Sequence, residues 1–191
     1  MNTGAADHMR CPWAESSQAM RNYHDTEWGV PSHDDRHLFE MLTLEGAQSG
    51  LSWATILNRR EGYRRAFASF EPAEVAAFSD SHLEQLREDT GIIRNRLKIY
   101  STRTNAQAFI RVQAEFGFFA TYLWNWVDGT RIVNQPRTLA DLRPTTELSD
   151  RISKDLKRRD FTFVGSTIVY SLIEAVGIVD DHLAGCSFKR K

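Results

Sequence analysis

Residues 44–53 read Leu-Glu-Gly-Ala-Gln-Ser-Gly-Leu-Ser-Trp, a stretch that sets one carboxylate, two glycines and a tryptophan in apolar surroundings. Apolar residues recur at helical spacing from Leu38, and Glu45 falls within the stripe that they form. Because burying an unpaired carboxylate is costly, Glu45 is expected to be neutral, paired, or ready for a ligand that supplies donors or positive charge. A buried Glu–Arg pair beside a core tryptophan is the alternative. Glycine disfavours helix interiors, so Gly46 and Gly50 are predicted to interrupt the helix and to let a backbone or ligand come close.

The composition around this stretch is that of a compact protein without a membrane partner. The chain has 191 residues, 41% of them hydrophobic, and it contains neither an apolar run of membrane-spanning length nor the apolar segment of a signal peptide. We therefore expect a soluble, cytoplasmic monomer. A formal net charge of -1 restricts any nucleic-acid surface to a local basic patch. Residues 1–9 are interpreted as a disordered leader, 10–188 as the folded region and 189–191 as a basic tail.

The periodicity of the remaining chain predicts an all-α fold of seven to nine helices, with no convincing strand. Residues 92–116 have helical periodicity throughout. The expected helix starts are Asp34 or Asp35 as an N-cap, Pro72 at a first helical position, and a capping box over residues 81–84.

Two cysteines near opposite ends of the chain each have a nearby histidine. Cys11 is followed by His24, and His182 precedes Cys186 at a spacing that suits one side of a helical turn. Two cysteines and two histidines form a preferred structural zinc set, and zinc would join the two ends of the chain.

The spacing alone leaves this zinc site open. Free buried thiols are the alternative, and His8 competes with His24 as a ligand. Asp180 and Asp181 flank His182 and could accept a hydrogen bond from a ligating imidazole.

Residues 160–165 form a predicted turn between two helices. Gly165 permits unusual backbone angles, and the helix that follows offers unpaired N–H groups, so this turn could hold a phosphate. Its predicted DNA-contacting residues are Phe163, Val164 and Gly165 in the turn, with Arg158 and Arg159 before it. A solvated basic helix end is the alternative.

Three aromatic residues bracket Glu45 in sequence: Tyr23, Trp28 and Trp53. Aromatic walls with a desolvated carboxylate suit a flat, positively charged ring, which would stack on the walls and donate hydrogen bonds at its edge. Ordinary core packing is the alternative for these side chains.

Taken together, these motifs resemble the DNA-3-methyladenine glycosylase I family of the helix-hairpin-helix glycosylase superfamily. The resemblance covers roughly residues 9–186. It rests on Arg-Cys-x-Trp at 10–13, Tyr-His-Asp-x-Glu-Trp-Gly-Val-Pro at 23–31, Leu-Glu-Gly-x-Gln-x-Gly-Leu-Ser-Trp at 44–53, Gly-Ile-Ile-Arg at 91–94, Phe-Val-Gly-x-Thr at 163–167 and Asp-His-x-x-Gly-Cys at 181–186.

The resemblance implies base excision, in which residues 10–188 form the catalytic region, with two helical lobes and the base pocket between them. The partner would be double-stranded DNA containing alkylated bases, and the product would be free 3-methyladenine. The resemblance also implies a structural zinc ion, with the ligands Cys11, His24, His182 and Cys186. Glu45 would be the catalytic and base-recognising residue, and the base would stack on Trp53 and Tyr23, with Trp28 nearby. Gly50 and Leu51 would lie in the gap left by the flipped nucleotide.

Two departures from the family pattern bear on these roles. Met20 stands where the family has a pocket tyrosine, which makes one wall softer or wider, and Asp160 stands where a hairpin glycine is usual, with a charge that would weaken DNA binding.

The family lacks the catalytic aspartate of its superfamily, so the general base is not assigned. A noncatalytic DNA-binding module and a zinc hydrolase with another substrate are the competing function classes.

Overall fold

A computed structural model of the chain describes residues 9–189, so the expectations for residues 1–8, among them His8, and for residues 190–191 lie outside it. The described part confirms the all-α prediction but contains ten α-helices rather than seven to nine. They are α1 (Gln18–Thr26), α2 (Asp35–Gln48), α3 (Trp53–Leu57), α4 (Arg60–Ala66), α5 (Pro72–Ala76), α6 (Asp80–Leu86), α7 (Arg96–Phe116), α8 (Phe119–Trp124), α9 (Glu147–Arg158) and α10 (Ser166–Ala175).

Short 3-10 helices and one small strand pair complete the described fold. The 3-10 helices are Pro12–Ser16, Ala68–Phe70, Asn125–Val127 and Leu139–Asp141. Strands β1 (Ile132–Val133) and β2 (Val179–Asp180) pair in parallel, with Ile132 opposite Val179. This two-residue pair is too short to give a periodicity signal in the sequence.

Helix α2 lies at the centre of the molecule. Residues 38–47 are all buried, because α2 packs against α7 and α8, against α10, and against α3. Its N-cap is Asp34, whose side chain accepts from the backbone N–H of Arg36 at 2.9 Å. The prediction that Gly46 interrupts the helix is wrong, because Gly46 lies inside α2. A Cβ there would be 3.3 Å from the Phe163 Cβ. Its small size therefore lets the turn before α10 pack closely on α2.

Two predicted helix starts are displaced. Helix α7 begins at Arg96, not at residue 92, because the Asn95 side chain accepts from the Lys98 N–H and caps it. Helix α6 is capped by Ser79 rather than by the predicted Ser81, since the Ser79 hydroxyl accepts from the His82 N–H. Pro72 is confirmed as a first helical residue.

The two ends of the described chain lie side by side. Ser187 donates its backbone N–H to the Met9 carbonyl at 2.8 Å, so Met9 belongs to the folded part rather than to a leader. Lys189 also packs on the fold, where its Nζ donates to the carbonyls of Asn134 and His182. Within residues 9–189 no helix has the length and apolar content needed to cross a bilayer. The division into two lobes stays a prediction.

Candidate functional site

A cavity of about 270 Å³ opens where the last turn of α2 faces α1, α3 and α10. Its walls combine aromatic side chains with few polar groups, which is typical of a site for a small flat ligand. The lining residues are Trp13, Met20, Tyr23, Trp28, Glu45, Gln48, Trp53, Leu142, Ser171 and Glu174.

Glu45 is the most unusual polar group in this cavity. Its residue surface is 4% exposed, and its carboxyl group forms no hydrogen bond or ion pair with any residue between 9 and 189. Burial raises the pKa of Glu45 to about 8. The predicted position in the apolar stripe is confirmed, whereas the alternative of a buried Glu–Arg pair is wrong.

The predicted aromatic residues surround this carboxyl group. Tyr23 and Trp53 have ring centroids 5.2 Å apart and ring planes 50° apart. On the other side, Trp13 packs edge-on against Trp28 with centroids 5.0 Å apart. The Trp53 Nε1 atom is buried and has no hydrogen-bond partner within the described chain. A ligand between these rings would therefore meet aromatic faces and an unpaired carboxyl group.

The sequence reasoning missed several lining residues, of which Trp13, Gln48 and Glu174 are the most informative. Gln48 lies three residues beyond Glu45 and so projects from the same face of α2. Glu174 is a single acid in the apolar segment 168–176, which is the same signal that identified Glu45. Met20, predicted as a wall residue, does line the cavity.

A second cavity, of about 360 Å³, adjoins the first and shares Glu45, Gln48 and Ser171 with it. It lies between the turn after α2 and the N-terminus of α10, whose N-cap residue Gly165 offers no side chain to the first N–H groups. Unpaired N–H groups at a helix start attract anions. The remaining lining residues are Ser49, Gly50, Leu51, Gly165, Ser166, Thr167 and Ile168.

The turn after α2 is held in a defined shape. Gly50 has φ +77°, which glycine adopts without strain. The Lys98 Nζ donates to the carbonyls of Ala47 and Ser49 at 2.8 and 2.6 Å, so it caps the end of α2. Leu51 is 41% exposed at the tip of this turn.

The turn from α9 to α10 is anchored to α7. The Asn105 side chain accepts from the Thr162 N–H at 2.8 Å and donates to the Thr162 carbonyl at 3.0 Å. Asp160 takes a left-handed φ of 69°, and its carboxylate accepts from Arg111 at 3.0 Å, which offsets the charge expected to repel a phosphate. The unusual backbone angles considered for Gly165 are not found, because its φ is -60°. A Cβ at Gly165 would meet no protein atom within 4 Å, so the glycine leaves open space before α10.

The two arginines predicted to contact DNA differ in their environment. Arg159 donates hydrogen bonds to Asp155 and Glu115, so its positive charge is paired with carboxylates from α9 and α7. The Arg158 side chain is 71% exposed and also pairs with Asp155. Of the two, Arg158 is the one that solvent or a phosphate can reach. Phe163, at φ 54°, is half-buried, and Val164 is buried with its carbonyl accepting from Ser153.

A cluster of thiol and imidazole groups joins the two ends of the chain. The ligand atoms of Cys11, His24 and Cys186 all lie within 4.8 Å of one another, and all three residues are buried. The Cys11 and Cys186 sulfur atoms each accept a backbone N–H at 3.4 Å, from Leu183 and Phe188. The three residues therefore form a group that could hold a metal ion.

His182 lies against this cluster, with its ring centroid 4.9 Å from that of His24. Its Nδ1 is bonded to Asp180 at 2.8 Å, whereas its buried Nε2 has no hydrogen-bond partner in the described part of the chain. Gly29, at φ +72°, makes room for this ring, since a Cβ there would lie 3.0 Å from the His182 Cε1. The His24 Nδ1 likewise contacts Asp25 at 2.8 Å. Carboxylates on both Nδ1 atoms leave the Nε2 atoms for a metal, as in many metal sites.

Two details of the predicted cluster need correction. Asp181 accepts from Asn134 and Tyr170 rather than from an imidazole, so only Asp180 of the flanking pair orients His182. The segment from His182 to Cys186 contains one turn, at residues 184–185, and no helical turn.

The cluster also supports the aromatic wall of the first cavity. Trp28 contacts His182 with ring centroids 4.4 Å apart, and Trp13 contacts His24 with centroids 5.1 Å apart. Both tryptophans line the cavity on their other side. The positions of the two histidines therefore set the position of that wall.

Comparisons with known proteins agree with this geometry. The methyladenine glycosylase family profile matches residues 13–190. DNA-3-methyladenine glycosylase 1 of Escherichia coli (strain K12) is 45% identical over 177 residues, which cover 93% of this chain and 95% of the relative. DNA-3-methyladenine glycosylase of Haemophilus influenzae is 39% identical over 180 residues, covering 94% of this chain and 97% of the relative.

Solved structures show the same fold. A structure describing 3-methyladenine recognition by 3-methyladenine DNA glycosylase I from Staphylococcus aureus superposes with a TM-score of 0.92 at 35% identity, covering 95% of this chain and 97% of that one. A crystal structure of a 3-methyladenine DNA glycosylase I variant in complex with 3-methyladenine gives a TM-score of 0.93 at 34% identity, covering 95% and 98%. From these matches over nearly its whole length, the chain belongs to the methyladenine glycosylase family.

Proposed function

We propose that this protein is a monofunctional DNA glycosylase that hydrolyses the N-glycosidic bond of 3-methyladenine in alkylated DNA. The observation that carries the proposal is the buried, unpartnered Glu45 carboxyl group in a cavity walled by aromatic rings. The relatives named for this activity support the same reaction.

The chemistry of the lesion explains why such a cavity suffices. Methylation at N3 gives the adenine a positive charge, which weakens its bond to deoxyribose, so little acid catalysis is needed. The flipped base stacks on Trp53 and Tyr23, and Glu45 accepts hydrogen bonds from its edge. Water attacks the sugar and leaves an abasic site.

The raised pKa of Glu45 favours a charged ligand over a neutral one. With the pKa at about 8, the empty cavity holds a neutral carboxyl group at pH 7. A cationic base stabilises the carboxylate, so its binding releases the Glu45 proton. An unmodified adenine carries no such charge, so its binding does not offset the free energy needed to ionise Glu45. The cavity thereby favours the alkylated base.

DNA would be held along the second cavity, beside the base pocket. The first N–H groups of α10 would bind a phosphate, as in a helix-hairpin-helix, and exposed Arg158 would add nonspecific attraction. Gly50 and Leu51 would enter the gap left by the flipped nucleotide. We propose that the protein acts on double-stranded DNA as a monomer.

Leu51→Ala is expected to slow excision from duplex DNA by about tenfold, because the variant no longer fills the gap and base extrusion costs a few kcal/mol. Excision from single-stranded methylated DNA is expected to stay unchanged, since no partner strand holds the base. Single-turnover assays on both substrates make the comparison. Leu139→Ala, at another exposed leucine outside both cavities, is the matched control. Equal slowing on both substrates would argue against a role in flipping.

The Cys11, His24, His182 and Cys186 set is proposed to bind one structural zinc ion. Two thiols, two imidazoles and a buried Nε2 without a partner fit the preferred tetrahedral donor set. Zinc bound there would be closed by four protein ligands, which favours a structural role over that of a zinc hydrolase. The residues around it orient the imidazoles through Asp25 and Asp180 and keep water out.

The proposed activity is tested by incubating the protein with methylated DNA and separating the released bases by chromatography. Release of 3-methyladenine, with none from unmethylated DNA, is the expected result. DNA binding without release of any methylated base would contradict the proposal and favour a noncatalytic DNA-binding module.

A further inference from the structure

Glu174 is a second acidic residue in the base cavity. It lies on α10, whereas Glu45 lies on α2, so the two carboxyl groups enter the cavity from different helices. They are close enough for Glu45 to raise the pKa of Glu174, and both raise the pKa of Tyr23, which burial raises most. Two carboxyl groups and one phenol therefore converge on the same space.

The contact between Glu174 and Asp181 defines what the Glu174 carboxyl group can offer. Asp181 accepts from the Tyr170 hydroxyl and the Asn134 amide, each at 2.6 Å, and the Glu174 carboxyl group is in hydrogen-bonding contact with it. Burial, and then the charge of Asp181, raise the pKa of Glu174 well above its ordinary value. An uncharged carboxyl group that donates to Asp181 keeps a carbonyl oxygen, which can only accept.

The exocyclic amine of an adenine carries two N–H groups, and two acceptors from different helices can each take one. We propose, on the basis of the proposed function, that Glu174 is a specificity residue that accepts the second of these N–H groups while Glu45 accepts the first. An oxo-purine such as 3-methylguanine places an oxygen at this position, opposite two acceptor oxygens. The cavity then rejects it by repulsion as well as by the missing hydrogen bonds.

The test compares single-turnover release of 3-methyladenine and 3-methylguanine from the same methylated DNA. Glu174→Leu removes the acceptor and is expected to lower the ratio of the two rates about tenfold, as for loss of one buried hydrogen bond. Glu174→Gln keeps a carbonyl oxygen for the base and an N–H for Asp181, so it is expected to retain the wild-type ratio. Leu142→Ala changes an apolar part of the same wall and is expected to affect both bases alike.

An unchanged ratio in Glu174→Leu would overturn the inference, as would a Glu174→Gln variant as unselective as Glu174→Leu. Either result leaves the proposed function standing, because wild-type release of 3-methyladenine is measured in the same assay. A wild-type protein that releases no methylated base would overturn both.

Discussion

Glu45→Gln is expected to slow release of 3-methyladenine about 10- to 100-fold, because a charge-assisted hydrogen bond to the cationic base becomes a neutral one. The amide keeps the shape of the side chain, so the decrease in rate measures the contribution of the negative charge. Single-turnover release from methylated DNA and the dissociation constant of the free base are the measurements. Wild-type excision together with wild-type free-base affinity would show that Glu45 does not recognise the base.

The same substitution is expected to stabilise the fold. Folding raises the pKa of Glu45 from 4.5 to about 8, so the folded state holds a proton that the unfolded state releases. Stability is thus lost as pH rises from about 4.5 to about 8, and at pH 7 the loss is on the order of 3 kcal/mol. Glutamine has no such proton to release.

Urea unfolding at pH 5 and pH 8 measures this effect. The stability advantage of Glu45→Gln is expected to be small at pH 5 and larger at pH 8. Glu88→Gln, at an exposed glutamate, serves as the control and is expected to show no such widening. If the free energies of unfolding of the wild type and of Glu45→Gln changed in parallel with pH, folding would not raise the pKa of this carboxyl group.

Cys186→Ser is expected to lose one bound zinc ion and to lower the melting temperature by about 10 °C or more, since structural zinc supplies several kcal/mol of folding free energy. Burial raises the pKa of the Cys11 thiol to about 12, so without a metal this sulfur is a neutral core atom. A metal ion held by these residues would replace the thiol proton and would join the two chain ends.

Metal content by mass spectrometry and a thermal melt of the same samples make this measurement. Ser187→Ala, at the next residue, keeps all four donors and is expected to retain the metal. The proposed site would be contradicted if the purified wild-type protein contained no zinc, or if the Cys186→Ser variant kept its zinc. Loss of activity with an unchanged melting temperature would favour a zinc hydrolase.

Much of the fold and of the cavity could be predicted because each depends on local pattern. A single acid within an apolar helical stripe identified Glu45, and the same rule would have found Glu174 if applied to α10. Helix starts are harder to predict from local pattern, since Ser79 and Ser81 are both good N-cap residues and only the fold selects Ser79.

Roles that depend on distant partners could not be predicted. The charge of Arg159 is balanced by Glu115 from another helix, and that of Asp160 by Arg111, which lies 49 residues away in sequence. Gly165 shows a similar limit, because sequence suggests unusual backbone angles where the structure uses only the absence of a side chain.

The junction of the two chain ends has a consequence for biosynthesis. The base cavity includes Trp28, whose ring rests on His182, so its wall is incomplete until the segment containing that histidine has left the ribosome. Helix α1 is made early, yet its His24 contacts Cys186, which lies 162 residues downstream. Contacts of such long sequence separation form slowly. A nascent chain is therefore expected to lack a complete base cavity during translation, and chains that terminate before residue 182 are expected to be inactive.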